Sequence, residues 1–534
     1  MTKNLIFIAV MVAIFFLQNV AYAAPLGKGK KILYIPIDNR PCNLKQTAEV
    51  AEKLGYEILS PPEEFLGTGA TFEKFGQPEE LWQWLNDNAA GVQAAVISTD
   101  AMLYGSLVGS RQHDLTAEEV LRRAEKFADF KKNFPYLPIY AFATIMRTPT
   151  VLGSSSEPEY YKQYGKAIYD YAWLKDKQEI EELSRNERKE FARLKNHIPQ
   201  EVSADWFARR DKNFNANKYF VDLMESGVFE YLLIGCDDNA KFSQTHLESR
   251  HLSDYGKELP VTQFQVMSGA DELGILMISR AINKDLNEIP FVAAEYNEGK
   301  GSETIPRLSN EKISDSIYGA IFAAGGLPIP ASERADFVVA VNTNFDGKTF
   351  NSDSAKNKIS PRRGTRTFMK ILTNLLEKNY PVGIADISTS NGADNALMEQ
   401  LRENDLQFKL HAYGGWNTAT NSSGFLIGAG VLTKFMTEYE KNSLLLTRYL
   451  DDWAYQSNVR TQINNGLVWT IPGEGNLYNL NERRDGLEKL TANLLTDFAK
   501  DNFKLPANSA LKNISAKFTW DRTFESDISF DFDK

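Results

Sequence analysis

The sequence predicts an α/β protein whose parallel strands close into a (βα)8-like, partly distorted barrel, with a doubly wound parallel sheet as the alternative. Three observations carry this expectation. Short apolar runs recur along the 534 residues, a polar cluster follows each run, and a stretch with helical spacing follows each cluster. Continuous apolar runs read as strands covered on both faces, because a strand with one wet face alternates with polar residues. Repeated βα alternation, eight or more units over about 400 residues, favours closure.

The elements follow in order. Residues 1–23 read as a signal peptide: Lys3 gives the positive start, the run LIFIAVMVAIFFL follows, and Ala21-Tyr22-Ala23 gives the small-x-small end, with cleavage after Ala23. That apolar run is too short to span a bilayer, so no lasting membrane insertion is expected. The strand-like runs are 31–37, 57–60, 94–98, 138–145, 231–235, 262–268, 291–295, 337–342, 382–387 and 408–413. Residues 158–222, dense in charge and aromatics, read as a helical insertion in a catalytic-type barrel domain over 24–430. Residues 431–534 read as a helical appendage with a final extended segment, packed on the core because no Pro/Ser/Gly linker precedes it.

Charge and cysteine content narrow the function classes. A formal net charge of −10 argues against a nucleic-acid partner, which would need Lys and Arg to neutralise phosphates. Cys42 and Cys236 are too few for a disulfide framework and are expected to be free thiols, on far sides of a barrel. The expected compartment is extracytoplasmic: periplasm, cell wall or medium.

The functional signal lies at the ends of the runs. They give Asp38, Asn39 and Arg40; Asp100, Tyr104 and Arg111; Arg147; Asp237, Asp238 and Asn239; Asp271 and Glu272; Glu295; Asp386; and Trp416, Asn417 and Asn421. In a parallel α/β architecture the C-terminal strand ends share one face, where the following loops build active sites. Asp237, Asp238 and Asp394 also read as helix caps, Ser268 to Asp271 has capping-box spacing, and Trp416 reads as core. The five His residues show no metal-ligand spacing, and GxSxG, Walker A and GxGxxG motifs are absent.

YIPIDNRP at 34–41, GADE at 269–272 and GWNTATN at 415–421 together resemble the bacterial domain-of-unknown-function family 4127. The resemblance continues through 98–111 and 236–239 and runs from about Lys31 to the C-terminus; it implies no activity. QVMSGADE at 265–272 is also similar to the strand-end Gly-x-Asp-Glu segment of family 20 hexosaminidases, although Met267 and Ser268 stand where that family usually has a His. This second likeness implies that Asp271 orients a substrate acetamido group and Glu272 is the general acid.

The expectation is a secreted glycoside hydrolase acting on a carbohydrate, including an N-acetylhexosaminyl glycan, by carboxylate acid/base catalysis. Asp271, Glu272, Asp237 and Asp238 are the catalytic candidates. Asp38, Asn39, Arg40, Asp100, Tyr104, Arg147, Asn239, Glu295, Asp386, Trp416 and Asn417 are the substrate-binding candidates. No cofactor is expected, with a divalent metal left open: Asp38, Asp100, Asp237 and Asp238 would be its hard oxygen ligands in a metal-dependent hydrolase or deacetylase. The other alternative is a non-catalytic envelope glycan-binding protein.

Overall fold

The computed structural model describes residues 26–150 and 156–533. The expected signal peptide lies outside the described residues.

The first sheet takes β1 (Lys31–Ile35), β2 (Glu57–Leu59), β3 (Ala94–Ser98), β4 (Ile139–Ile145), β5 (Tyr231–Cys236) and β6 (Phe264–Ser268) in the order β2-β1-β3-β4-β5-β6. The second takes β7 (Phe291–Tyr296), β8 (Leu327–Pro328), β9 (Phe337–Asn342), β11 (Val382–Asp386) and β13 (Ala412–Gly414) in the order β13-β11-β9-β7-β8. Between these last strands, β10 (Phe350–Asn351) and β12 (Thr389–Ser390) pair with each other, and β14 (Ala510–Lys517) and β15 (Asp527–Asp533) form an antiparallel pair. Every ladder within the two large sheets is parallel. Counted from its own first strand, each sheet runs 2-1-3-4-5, and the first adds one more strand at its edge.

The barrel expectation is therefore corrected. Strands β2 and β6 are edges of one sheet and β13 and β8 of the other, and no ladder joins β6 to β7 among the described residues. The stretch 24–430 holds two open sheets, as the doubly wound alternative has it. The physical reason lies in the helix Leu273–Asp285. It crosses back over β4 and β3 to meet the helix Lys45–Glu52, and so fills the space between the sheets.

Alternation along the strands shows the layering. Ile32 and Tyr34 of β1 face one core, and Leu33 and Ile35 face another. On β9, Phe337, Val339 and Val341 join the first of these cores, while Val338 and Ala340 face a third. The shared inner core also takes Val50, Ile278, Ile317 and Ile427, from helices Lys45–Glu52, Leu273–Asp285, Ile313–Ala323 and Ala419–Gly430. The order is thus helix, sheet, helix, sheet, helix. Two of the middle helices touch closely because Gly428 lacks a side chain: a Cβ there would lie 2.9 Å from Ile275 Cγ1, and Ser279 Oγ donates to the Gly428 carbonyl at 2.6 Å.

Helices Tyr161–Ile180 and Arg185–His197, with the start of Gln200–Glu225, enclose a small core around Ile168, Leu194 and Trp206. On the outer face of the second sheet lie Glu438–Arg448, a π-helical run Tyr449–Val459, and Arg484–Asn502. Among the described residues no helix is long and apolar enough to cross a membrane.

Candidate functional site

The chain leaves β1 and turns at Asp38, whose carboxylate accepts the Arg40 backbone N–H at 3.1 Å and Asn43 Nδ2 at 2.8 Å. A short polar side chain that bonds its own backbone two residues on fixes such a turn. The turn aims Arg40 inward. Its Nε lies 3.0 Å from both Asp38 oxygens, and its Nη2 donates to Asp271 Oδ1 at 2.5 Å. All three side chains are buried, with Asp38 at 0%, Arg40 at 6% and Asp271 at 7% exposure. Burial works against the Arg40 charge; Asp271 and Asp38 more than offset it and hold the guanidinium well above its ordinary pKa.

Asp271 also receives Asn417 Nδ2 and Asn421 Nδ2, each at 3.3 Å. Those amides follow β13, so the carboxylate joins the two sheets. The C-terminal segment closes the group from above. Trp520 Nε1 donates to Asn39 Oδ1 at 3.0 Å, the Arg40 guanidinium lies 5.4 Å from the Trp520 ring centre, and Glu525 is 3.8 Å from Arg40 Nη1.

Glu272 folds back over the β6 end. Its Oε2 accepts the Ala270 N–H at 3.0 Å, and its buried Oε1 has no protein partner. Gly269, at φ +120°, permits this: a Cβ there would sit 1.7 Å from Glu272 Oε1. Gly424 permits it from the other side, since its Cβ would lie 2.5 Å from Glu272 Cγ. Burial pushes the Glu272 carboxyl up to about 8, with Asp271 and Asp237 adding to it, so it is a neutral acid at pH 7. The capping-box reading of Ser268 and Asp271 is corrected: the helix Leu273–Asp285 starts at Glu272 with no side-chain cap, because Asp271 is turned toward Arg40.

A second group sits over β3, β4 and β5. Arg111 Nη2 donates to Asp237 Oδ2 at 2.5 Å, and Arg147 Nη2 lies 2.7 Å from Glu157. Longer contacts knit them together, Arg111 to Glu157 at 3.6 Å and Arg147 to Asp238 at 3.5 Å. Asp238 has φ 48°, and burial together with Asp237 raises its carboxyl to about 6. Neither aspartate caps a helix; Ser243 caps Gln244–Tyr255. Asp100 accepts the Thr144 N–H and Thr144 Oγ1 at 2.8 and 2.9 Å, and burial raises it to about 7, with Asp237 contributing. Asp237 thus acts electrostatically on both Asp100 and Glu272. Asn239 donates to Asn310 Oδ1 at 2.7 Å.

The remaining candidates make no hydrogen bond or ion pair to these groups, although Trp416 lines a small cleft with Cys42 and Glu525. Tyr104 stacks on His113, with ring centres 4.6 Å apart, in the outer core of the first sheet. Asp386 belongs to a separate network on the second sheet. There it accepts Tyr413 OH and the Asp394 N–H, each at 2.7 Å, and burial with Asp394 raises it to about 6. Asp394 caps Asn395–Glu403 through the Ala396 N–H at 3.0 Å, as the capping reading expects, and pairs with Arg362. Trp416 is buried at 6% exposure, so its ring offers no open stacking platform. Glu295 accepts Ser332 Oγ at 2.6 Å on the outward side of β7, with no bond to either group.

Asn43, Glu157, Trp520 and Glu525 complete the groups without having been singled out as candidates in the sequence. Only Asn43, five residues after Asp38, carries a local signal. For a metal, the donor set is already engaged: Asp38 by Arg40, Asp100 by Thr144, Asp237 by Arg111. Among the described residues no group of three or more His, Cys, Asp or Glu is placed to hold an ion.

The fold and site define a tandem of two open parallel α/β sheets with a buried ionic seam at their strand ends. The chain belongs to a family described as proteins of unknown function (DUF4127), whose family model matches residues 32–529. No curated protein matches, hexosaminidases included. Among solved structures, a UDP-glucosyltransferase from Polygonum tinctorium, in complex with 3,4-dichloroaniline, is similar at 10% identity and a TM-score of 0.18, over 84% of this chain and 100% of that one. A superposition this loose informs neither the fold nor the site.

Proposed function

We propose that the protein is an exported carbohydrate-active hydrolase in which Glu272 is the general acid and Asp271 the orienting carboxylate. The observation that carries this reading is the different surroundings of two adjacent carboxyl groups. Burial pushes the Glu272 carboxyl up to about 8, while Asp271 is bound by the Arg40 guanidinium at 2.5 Å. Glycosidic cleavage needs a protonated carboxyl to donate to the leaving oxygen and a second group to stabilise the opposite side of the sugar. Asp237 and Asp238 form the neighbouring pair, and the surrounding amides and guanidinium groups suit hydroxyl-rich ligands.

A panel of chromogenic glycosides and cell-wall fragments, assayed with and without chelator, tests it. Glu272→Gln should lower turnover of substrates with poor leaving groups by ~10²–10⁴-fold and spare activated aryl glycosides. Asp271→Asn should damage N-acetylated substrates more than plain hexosides. Full activity in both variants would remove the assignment. Chelator-sensitive turnover would move it to a metal-dependent hydrolase.

A second reading, glycan binding without turnover, is favoured by the packing of Glu272 between Gly269 and Gly424, which resembles a sealed structural contact. Tight glycan binding unchanged in Glu272→Gln would select it.

A further inference from the structure

Beside the ionic seam, a cavity of about 310 Å³ opens between the ends of β5 and β6, the helix Gln244–Tyr255 and the loop at Asn310. We infer that this cavity is a subsite for one neutral pyranose ring. The inference rests on the carbohydrate reading above for its substrate class and on the cavity itself for its place.

The wall is mixed: Cys236, Val266 and Met267 give it an apolar side, and its other residues bond hydroxyls or carry charge. Asn239, Ser268 and Asn310 supply amide and hydroxyl contacts, Arg250 and Glu311 supply one charge of each sign, and Ser253 stands at the rim. Both charges are held in place, Arg250 by Asp176 at 2.7 Å and Glu311 by the Ser316 hydroxyl, which donates to it at 2.7 Å. Counted within the lining, the Arg250 cation and the Glu311 anion cancel, which suits a neutral ligand. Asn239 is 3% exposed and its Oδ1 has no protein partner, an acceptor whose burial costs free energy unless a donor meets it. The volume falls at the small end of ligand pockets, which run from about 300 Å³, and suits one ring. Its position fixes its relation to the seam: Asn239 comes directly after Asp237 and Asp238, and Ser268 directly before the Gly269–Glu272 turn. The cavity is thus tied by the chain to both carboxylate pairs, although none of the four carboxylates is in its wall.

The test is calorimetric titration of the full chain with methyl glucoside, N-acetylglucosamine, glucuronate and glucosamine. At least one of the neutral sugars should bind, with a dissociation constant on the order of 1 mM, as expected for so few ligand atoms. The rim residue Ser253 is exposed, so Ser253→Trp should fill the mouth without harming the fold and weaken binding at least about tenfold, the equivalent of one decade in Kd. Ser253→Ala should stay within about threefold of the parent. The same titrations in Glu272→Gln separate the two proposals. Neutral sugar binding retained there, with no turnover by the parent, overturns the hydrolase and keeps the subsite. No neutral sugar binding, preference for glucuronate or glucosamine, or binding untouched by Ser253→Trp overturns the subsite.

Discussion

Arg40 and Asp271 are separated by 231 positions in the chain and meet at 2.5 Å, both buried. The contact ties the loop after β1 to the turn after β6. Through the Asn417 and Asn421 amides on the same carboxylate, it also ties the first sheet to the second.

Replacing Arg40 by Met should therefore cost about 3–5 kcal/mol, because it leaves Asp38 and Asp271 buried without a cation. Chemical denaturation measures it. A loss no larger than that of a surface arginine would mean that water reaches the pair.

Glu272 gives a pH-dependent signature. Its folded pKa of about 8 lies above the ordinary 4.5, so between those values the folded chain keeps a proton that the unfolded chain has lost. Stability contributed by the neutral acid is full below about pH 4.5 and is lost as pH rises toward 8. Glu272→Gln does not titrate. Its melting temperature relative to the parent should climb from about pH 5 to about pH 9, by an amount equivalent to a few kcal/mol. A constant difference across that range would show that the carboxyl is not held neutral.

Trp520 should separate its bond from its bulk. Trp520→Phe loses the donation to Asn39 and should cost about 1 kcal/mol, whereas Trp520→Ala also removes the ring above Arg40 and should cost about 3–5 kcal/mol. Equal effects in denaturation curves would contradict the stacking role.

Cys42 and Cys236 are free and buried, and burial pushes both thiols up. Neither should react with a thiol reagent in the native protein, and both should react in denaturant. Cys236 borders the cavity between β5 and β6 at 1% exposure, so fast native labelling there would mean that its sulfur is open to the cavity, and fast labelling of Cys42 would place that residue at an opening of the fold.

For the proposed export, N-terminal sequencing of secreted material should begin at Ala24. An intact Met1 would remove the leader reading.

Much of the strand content was legible because apolar runs buried on both faces stand out in a sequence. Each of the ten runs overlaps an observed strand; the last, at 408–413, meets only Ala412–Gly414 after a turn of 3₁₀ helix. Closure was not legible. The helix after β6, LGILMISRAINKD, is apolar nearly all round, which marks a helix buried on every side but does not say that two sheets bury it. The two-residue β8 is too short for any period to show. At the site, Asp38, Arg40, Asp237, Asp271 and Asn417 were legible as strand-end polar residues. Their partners were not, because Glu157 falls between the run at 138–145 and the excursion at 158–222, and Trp520 and Glu525 sit in an aromatic tail that reads as packing. Asp271 looked like a cap because capping and ion pairing use the same residue at the same spacing; only the position of Arg40 decides between them.

The contact between Trp520 and Asn39 spans 481 positions, and this sets a timetable. A polypeptide leaves the ribosome or a translocation pore from its N-terminal end, so Asp38 and Arg40 emerge among the first residues of the fold and wait for nearly all of it to follow. Both sheets can be complete while that corner still stands open to water, its charges solvated and its geometry unfixed. Only the arrival of 520–525 dries it. A chain clipped just upstream of Trp520 would lose β15, the Phe532 side chain of the outer core and the cover over Arg40 together, so the last strand and the finished seam arrive in one step.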